Sequence, residues 1–241
     1  LAEVAGYCGN GRLDTGEYCE KTLSQYGGFC DNVSQSECNG VRAPWVSHES
    51  NTTKSLADVA FSGETHGWIT GAQARQGILL KTTNGGTTWQ ETALPEDYYF
   101  TGIQFANDQT GWATGKTTAG TGEDVFARTD NGGTTWETEE VEDVITDFVF
   151  VSESVGWGVG WERGNNDNGV ILKTADGGVT WNVHRTGEND AILRGDNQRS
   201  KKLGGVFFFS PTVGWTFGTD FILKTNDAGV TWTEQQANAE G

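Results

Sequence analysis

Short runs of alternating or wholly apolar residues recur along most of the chain, and clusters of Gly, Asn, Asp and Thr separate them. Strands are typically bounded by such turn residues. The strands predicted for the first two units are 56–61, 68–71, 77–82, 87–93, 101–105, 112–114, 125–129 and 134–138. No part of the chain shows the i, i+3, i+4, i+7 apolar stripe of an amphipathic helix. The pattern therefore predicts an all-β protein.

Tryptophan marks a repeat of about 45 residues. A Gly-Trp pair recurs at 67–68, 111–112, 156–157 and 214–215. A second tryptophan ends each of the similar runs 81–89, 128–136, 173–181 and 224–232. Four-stranded units at this period are typical of β-propeller blades. We predict a small propeller of four four-stranded blades at about 55–94, 99–141, 145–186 and 203–237.

Each second run contains a turn whose chemistry the sequence explains. A pair of small residues, Gly-Gly or Ala-Gly, permits a tight reversal with positive φ. The residue just before the pair accepts backbone N–H groups across the turn, as Asx turns do. These predicted structural residues are Asn84, Asn131, Asp176 and Asp227. We expect them to stabilise the fold and not to take part in catalysis.

The four runs resemble the Asp-box, or BNR, motif S/T-x-D/N-x-G-x-T-W. With a Gly-Trp strand upstream, the unit is similar to the BNR repeat of photosystem II assembly factors. The resemblance extends over roughly residues 45 to 237 and implies a β-propeller. It implies little about activity, because Asp-box propellers include sialidases, sorting receptors, lectins and assembly factors.

The predicted domains are a cysteine-rich segment at 1–42 and the propeller at 43–241. Residues 43–49, with Trp45, look like one extra outer strand before the first complete blade. The preferred arrangement is a closed four-bladed ring with this strand on an edge. The alternative is an incomplete ring that closes by oligomerisation or belongs to a longer parent chain.

All cysteines lie in the first segment, at Cys8, Cys19, Cys30 and Cys38. Their even number favours two disulfides over a zinc site, because no C-x₂₋₄-C pair occurs, and the connectivity stays open. The run 8–19 resembles the CGNGxxDxGExC repeats of bacterial extracellular proteins. We expect a secreted, cell-surface or periplasmic protein. Oxygen ligands near the cysteines suggest a Ca²⁺ site at Asn10, Asp14 and Glu17.

Charge and hydropathy exclude two classes of partner. The net charge is −17, so the chain would repel nucleic acid phosphates. No apolar run is long enough to span a membrane. An acidic surface favours basic partners or divalent cations.

Candidate binding residues lie in the connections opposite the Asp boxes, where loop lengths vary. Trp161 offers an aromatic platform with polar neighbours, which is the composition of a sugar site. The polar loop 186–202 is a basic island in an acidic chain. Two tyrosines lie on the first connection between blades. The candidates are Trp161, Glu162, Arg163, Asn165, Asp167, Arg194, Asp196, Tyr98 and Tyr99.

We expect a binding protein without catalytic activity. A sialidase would need an arginine cluster that the repeats do not supply, and the three histidines occupy unrelated repeat positions. The leading hypothesis is an extracellular scaffold for protein–protein interaction or assembly at the cell surface, in which the chain is a homo-oligomer or a subunit of a larger assembly. The alternative is a glycan-binding adhesin or lectin, and a sialidase-like glycosidase is third. No cofactor beyond Ca²⁺ is expected.

Overall fold

The computed structural model describes residues 49–95, 97–120, 122–164, 168–184, 193–194 and 200–235. All regular structure in these ranges is β-strand, in four four-stranded antiparallel sheets. The all-β class and the four blades are therefore confirmed. The chain divides into two compact units, Leu1–Ser47 and His48–Gly241. The cysteines, the Ca²⁺ candidates Asn10, Asp14 and Glu17, and most of the extra strand lie outside the described residues.

Each sheet is built from consecutive strands, so each strand pairs with its neighbours in the chain. The first sheet contains β1 Ser55–Phe61, β2 Gly67–Gln73, β3 Gln76–Thr82 and β4 Gln90–Thr92. The second contains β5 Tyr98–Phe105, β6 Gly111–Thr117, β7 Asp124–Thr129 and β8 Glu137–Val141. The third contains β9 Val144–Phe150, β10 Gly156–Trp161, β11 Gly169–Thr174 and β12 Asn182–Val183. The fourth contains β13 Leu203–Phe208, β14 Gly214–Gly218, β15 Ile222–Thr225 and β16 Thr233–Gln235.

Strand ends differ from the sequence prediction in two ways. In the first two sheets the fourth strand begins later than predicted, at Gln90 and Glu137, because the threonines before it hydrogen-bond within the Asp box: Thr88 donates its N–H to Asn84. The strand β5 is longer than predicted. Tyr98 and Tyr99, expected on a connection, are strand residues paired with Thr117 and Lys116.

The glycine of each Gly-Trp pair makes room for a phenylalanine on the adjacent strand. A Cβ added to Gly111 would lie 2.5 Å from the ring of Phe105. That ring stacks on Trp68 of the first sheet, with centroids 3.5 Å apart and an angle of 4°. Phe150 stacks in the same way on Trp112, at 3.8 Å. The Gly-Trp pair is therefore part of an aromatic joint between consecutive sheets.

The core consists of three apolar clusters, and each lies between two consecutive sheets. The strand β5 packs on the first sheet, β9 on the second and β13 on the third. Within the described ranges, no comparable packing joins the first sheet to the fourth. Among the described residues, the joint between the first and fourth sheets that would close the four-bladed ring favoured by the sequence is thus not formed. The residues that would close it, Phe61 and Trp215, are not buried.

Candidate functional site

The polar groups of each Asp box are satisfied inside the turn. The Thr82 hydroxyl donates to Asn84 Oδ1 at 2.9 Å and accepts the N–H of Gly86 at 3.0 Å. The boxes of Asn131, Asp176 and Asp227 have the same bonds. These side chains stabilise the turn, and few of their hydrogen-bonding groups remain available to a ligand.

Hydrogen bonds also set the acidity of the two aspartates in the Asp boxes. The hydroxyl and then the N–H of Thr180 stabilise the Asp176 carboxylate and lower its pKa to about 2. Thr231 lowers the pKa of Asp227 in the same way. Both groups are therefore anionic at neutral pH.

The Asp boxes also join the sheets. Trp68 Nε1 donates to the Gly132 carbonyl at 3.0 Å, and Trp112 Nε1 donates to the Gly177 carbonyl at 2.8 Å. Each bond connects one sheet to the Asp box of the next. The rim that carries the Asp boxes, which we call the box rim, is therefore a structural joint.

A cavity of about 450 Å³ lies along the first strands of the sheets. Two of its side chains are carboxylates, Asp58 and Asp147. Burial raises the pKa of Asp147; N–H donors from Val206 and Phe148 oppose that shift, and the charge of Asp58 adds to it.

Each oxygen of the two carboxylates in the cavity accepts a backbone N–H. The Asp58 oxygens accept the N–H groups of Val59 and Ile103, each at 2.8 Å. The Asp147 oxygens accept those of Phe148 and Val206, each at 2.9 Å. In each case one donor lies on the same strand and the other lies on a following sheet. Both aspartates thus connect blades.

The opposite rim, which we call the variable rim, carries Arg163 just after β10. Arg163 Nη2 lies 2.6 Å from Asp124 Oδ2, and Nε lies 3.3 Å from Glu123. Asp124 is buried and also binds Lys116 Nζ at 2.8 Å. Arg163 therefore connects the third sheet to the second.

Trp161 lies beside Arg163 and is half-buried. The Lys202 ammonium lies 4.7 Å from its ring centroid. Glu162 closes the loop by accepting from Asn168 Nδ2 at 2.7 Å. The structure thus brings Trp161, Glu162 and Arg163 together, whereas the predicted partners Asn165 and Asp167 lie outside the described residues.

The loop 186–202 is described only in part. Arg194 is exposed, and Asp196 lies outside the described residues. Leu193 is buried in the core between the third and fourth sheets, and its carbonyl accepts the N–H of Gly169 at 2.8 Å. The burial of Leu193 was not predicted from the sequence. The indication in the sequence is an apolar pair, Ile192-Leu193, within a polar loop.

Arg75 is a second residue that the sequence did not single out. It lies in the two-residue turn between β2 and β3, where Ala74 and Arg75 have φ of 51° and 66°. Non-glycine residues rarely adopt this conformation. The guanidinium donates to the carbonyls of Thr118 and Gly120 in the connection between β6 and β7, at 3.2 and 3.3 Å. Gly77 of the following strand lies near the Tyr98 carbonyl and Tyr99 Cβ.

Cationic side chains of the described residues occupy only two kinds of position. One per sheet lies next to an Asp box, namely Lys81, Arg128, Lys173 and Lys224. The others lie at the variable rim, at strand ends or in connections: Lys54, Arg75, Lys116, Arg163, Arg194, Lys201 and Lys202. Most of the described cations thus lie at the variable rim, where Lys116 and Arg163 are paired with Asp124 and Glu123.

The described ranges contain no group of three or more His, Cys, Asp or Glu placed to hold a metal ion. They also contain no helix with the length and apolar character needed to cross a membrane.

Residues 38–142 match the family model described as Photosynthesis system II assembly factor YCF48. The repeats are of the BNR type. The chain is 40% identical over 68 residues to Photosystem II assembly protein Ycf48 of Synechococcus sp. (strain JA-2-3B'a(2-13)), a match that covers 26% of this chain and 20% of that protein. It is 32% identical over 69 residues to the protein of the same name from Thermosynechococcus vestitus, covering 27% and 19%. The matches thus span about a fifth of these relatives.

Solved structures share the fold. YCF48 from Cyanidioschyzon merolae superposes with a TM-score of 0.56 at 19% identity, covering 78% of this chain and 58% of that one. The GH74 enzyme of Niastella koreensis gives a TM-score of 0.55 at 16% identity, covering 77% and 30%. At these identities the likeness establishes the β-propeller architecture alone.

Proposed function

We propose that the chain is a non-catalytic binding scaffold that takes part in assembling a protein complex, and that the variable rim contacts its partner. The family model and the curated relatives carry the name of an assembly factor, which supports this class of function. We also propose an extracytoplasmic location. A relative from Prochlorococcus marinus is named a lipoprotein, which is consistent with that location.

The state of the carboxylates in the cavity supports a role without turnover. A general acid or base must direct an available oxygen at its substrate. Asp58 and Asp147, which line the cavity, use both oxygens to accept backbone N–H groups. Freeing Oδ2 of either aspartate would break a bond between blades.

The observation that carries the proposal is the turn of Ala74 and Arg75. Two consecutive non-glycine residues with positive φ are unfavourable, and such strain is concentrated at functional positions. An Asn-Gly pair would make the same turn without strain. The strained turn instead places an exposed guanidinium at the rim. An exposed guanidinium suits an acidic segment of a protein.

Charge gives the proposal a sharp test. A chain with a net charge of −17 should prefer basic ligands if only its overall charge matters. If the variable rim is the binding surface, the chain should instead prefer acidic ligands. The probe is a set of immobilised dodecapeptides. Half of the peptides are acidic and the other half are basic, and both groups contain the same number of aromatic residues.

We expect the chain to bind the acidic peptides more strongly at low ionic strength. Arg75→Gln should weaken that binding by about 3-fold, the size of one partly screened ion pair. Gln109→Glu is the matched control, because it makes the same change in net charge at an exposed position of the box rim. Preference for basic peptides, or equal loss in both variants, would refute the assignment of this rim.

A further inference from the structure

The joint between consecutive sheets occurs three times and always uses equivalent positions. One side, the leading face, consists of three residues on the first strand of a sheet. In the second sheet they are Phe100, Ile103 and Phe105, all buried against the first sheet. In the fourth sheet they are Leu203, Val206 and Phe208, buried against the third sheet.

The first sheet has the same leading face, and none of the described residues packs on it as a neighbouring sheet does in the joints. Its residues are Leu56, Val59 and Phe61. Phe61 is 45% exposed, whereas the equivalent Phe105 is 7% exposed. Val59 is 55% exposed against 5% for Ile103. Phe61 does keep its edge-to-face contact with Trp89, at 6.0 Å, so it occupies the position that every joint uses.

The other side of the joint, the trailing face, lies on the second and third strands. In the third sheet it consists of Trp157, Val159 and Ile171, which are fully buried. The equivalent residues of the fourth sheet are Trp215, Phe217 and Ile222. Phe217 is 52% exposed and Ile222 is 43% exposed. Trp215 is half-buried and is contacted by Lys224, at 5.2 Å from the ring centroid.

We propose that the trailing face of one copy of this chain binds the leading face of a second copy. In the three internal joints a phenylalanine of the leading face stacks on a tryptophan of the trailing face. Phe61 and Trp215 are the two halves of the same pair. Trp215 Nε1 then donates to the carbonyl of Gly85, as Trp68 Nε1 does to that of Gly132.

The six side chains that form the two exposed faces are apolar or aromatic, so burying them is favourable. The stacked pair needs Phe61 from one face and Trp215 from the other, so each face complements the other face and not itself. The contact is therefore head-to-tail. Two copies would hold twice the four sheets of one chain, which is within the range of blade numbers common in propellers. A closed dimer with two identical joints follows.

The test is the mass of the particle in solution, measured by light scattering after size exclusion over a range of concentrations. We expect the wild type to have twice the chain mass. Phe61→Asp and Trp215→Asp should each weaken self-association by about 30-fold or more, as loss of a central aromatic contact does. The control is Phe209→Asp, because Phe209 is 78% exposed and lies in a turn outside both faces.

Mixing the two variants separates a head-to-tail contact from other modes. Phe61→Asp retains an intact trailing face, and Trp215→Asp retains an intact leading face. The mixture should therefore form a dimer held by one joint, although each variant alone is monomeric. Circular dichroism and urea unfolding of each variant verify that the fold is kept.

A wild type that stays monomeric at every accessible concentration would overturn the proposal, since another part of the chain or another partner would then cover the faces. A wild-type dimer that both variants preserve, or a mixture that stays monomeric, would also overturn it. This test is independent of the peptide experiment, because neither face includes Arg75 or its neighbours.

Discussion

Replacing the glycine of a Gly-Trp pair by alanine tests the aromatic joint inside one chain. In Gly111→Ala the new Cβ would lie 2.5 Å from two ring carbons of Phe105. That is about 1 Å closer than ordinary contact between carbon atoms. Phe105 has no room to retreat, because its ring already stacks on Trp68 at 3.5 Å.

The cost follows from two opposing effects. Inserting one carbon into a filled core costs about 1–3 kcal/mol. Alanine in a strand gains about 0.5–1 kcal/mol over glycine, since glycine loses more conformational entropy on folding. We expect Gly111→Ala to lower the free energy of unfolding by about 1–2 kcal/mol.

The matched control is Gly67→Ala. Its Cβ would lie 2.6 Å from Phe61, nearly the same clash. Phe61 is exposed on the leading face, so its ring is able to swing toward solvent. The expected change is within about 0.5 kcal/mol of zero, as for surface substitutions.

The assay is urea unfolding followed by tryptophan fluorescence and circular dichroism. Both alanine variants are made in the Trp215→Asp background, so that no second copy covers Phe61. Equal losses for Gly67→Ala and Gly111→Ala would contradict this account, because the two sites differ only in what lies behind the phenylalanine ring. A loss at neither site would mean that the glycines do not serve the joint.

Two further predictions concern the Asp boxes and the tryptophan hydrogen bonds. The pKa of Asp176 is lowered to about 2 from 3.8, so its carboxylate contributes stability above pH 3.8 that is lost as the pH falls to about 2. Asp176→Asn introduces the amide that the first Asp box already has at Asn84, and this variant has no carboxylate to protonate. The difference in urea midpoint between variant and wild type should therefore change over that pH interval and be constant above pH 6. Trp112→Phe removes the hydrogen bond to the Gly177 carbonyl, whereas Trp157 Nε1 has no hydrogen-bond partner among the described residues. We therefore expect Trp112→Phe to cost about 1 kcal/mol more than Trp157→Phe in calorimetry, and equal costs would argue against the bond.

The sequence was sufficient for the repeat and the sheets. Glycine pairs and the regular tryptophans are local signals, and they specify turns and strands without knowledge of distant contacts. Strand ends were less accurate. The hydroxyl and carboxamide bonds of the Asp box shorten strands such as β4, and Tyr98 enters β5 because Thr117 pairs with it across the sheet.

Two features were beyond the reach of the sequence for physical reasons. Ala74 and Arg75 adopt positive φ in a turn that contains no glycine, so the sequence carries no sign of it. The open faces were also hidden. Val59 and Phe61 follow the same apolar alternation as the buried Ile103 and Phe105, and alternation shows which face is apolar but not what covers it.

The aromatic joint has a consequence for how such chains change over generations. Every joint uses the same phenylalanine–tryptophan pair, so a joint does not depend on how many units precede or follow it. Duplication of one whole unit would add a phenylalanine and a tryptophan at the positions that the joints use. The units on both sides could then pack on the new unit. Loss of half a unit would instead leave a surface without its counterpart. Unequal recombination between repeats is therefore tolerated in whole units only, and the number of units is free to drift while each contact is conserved.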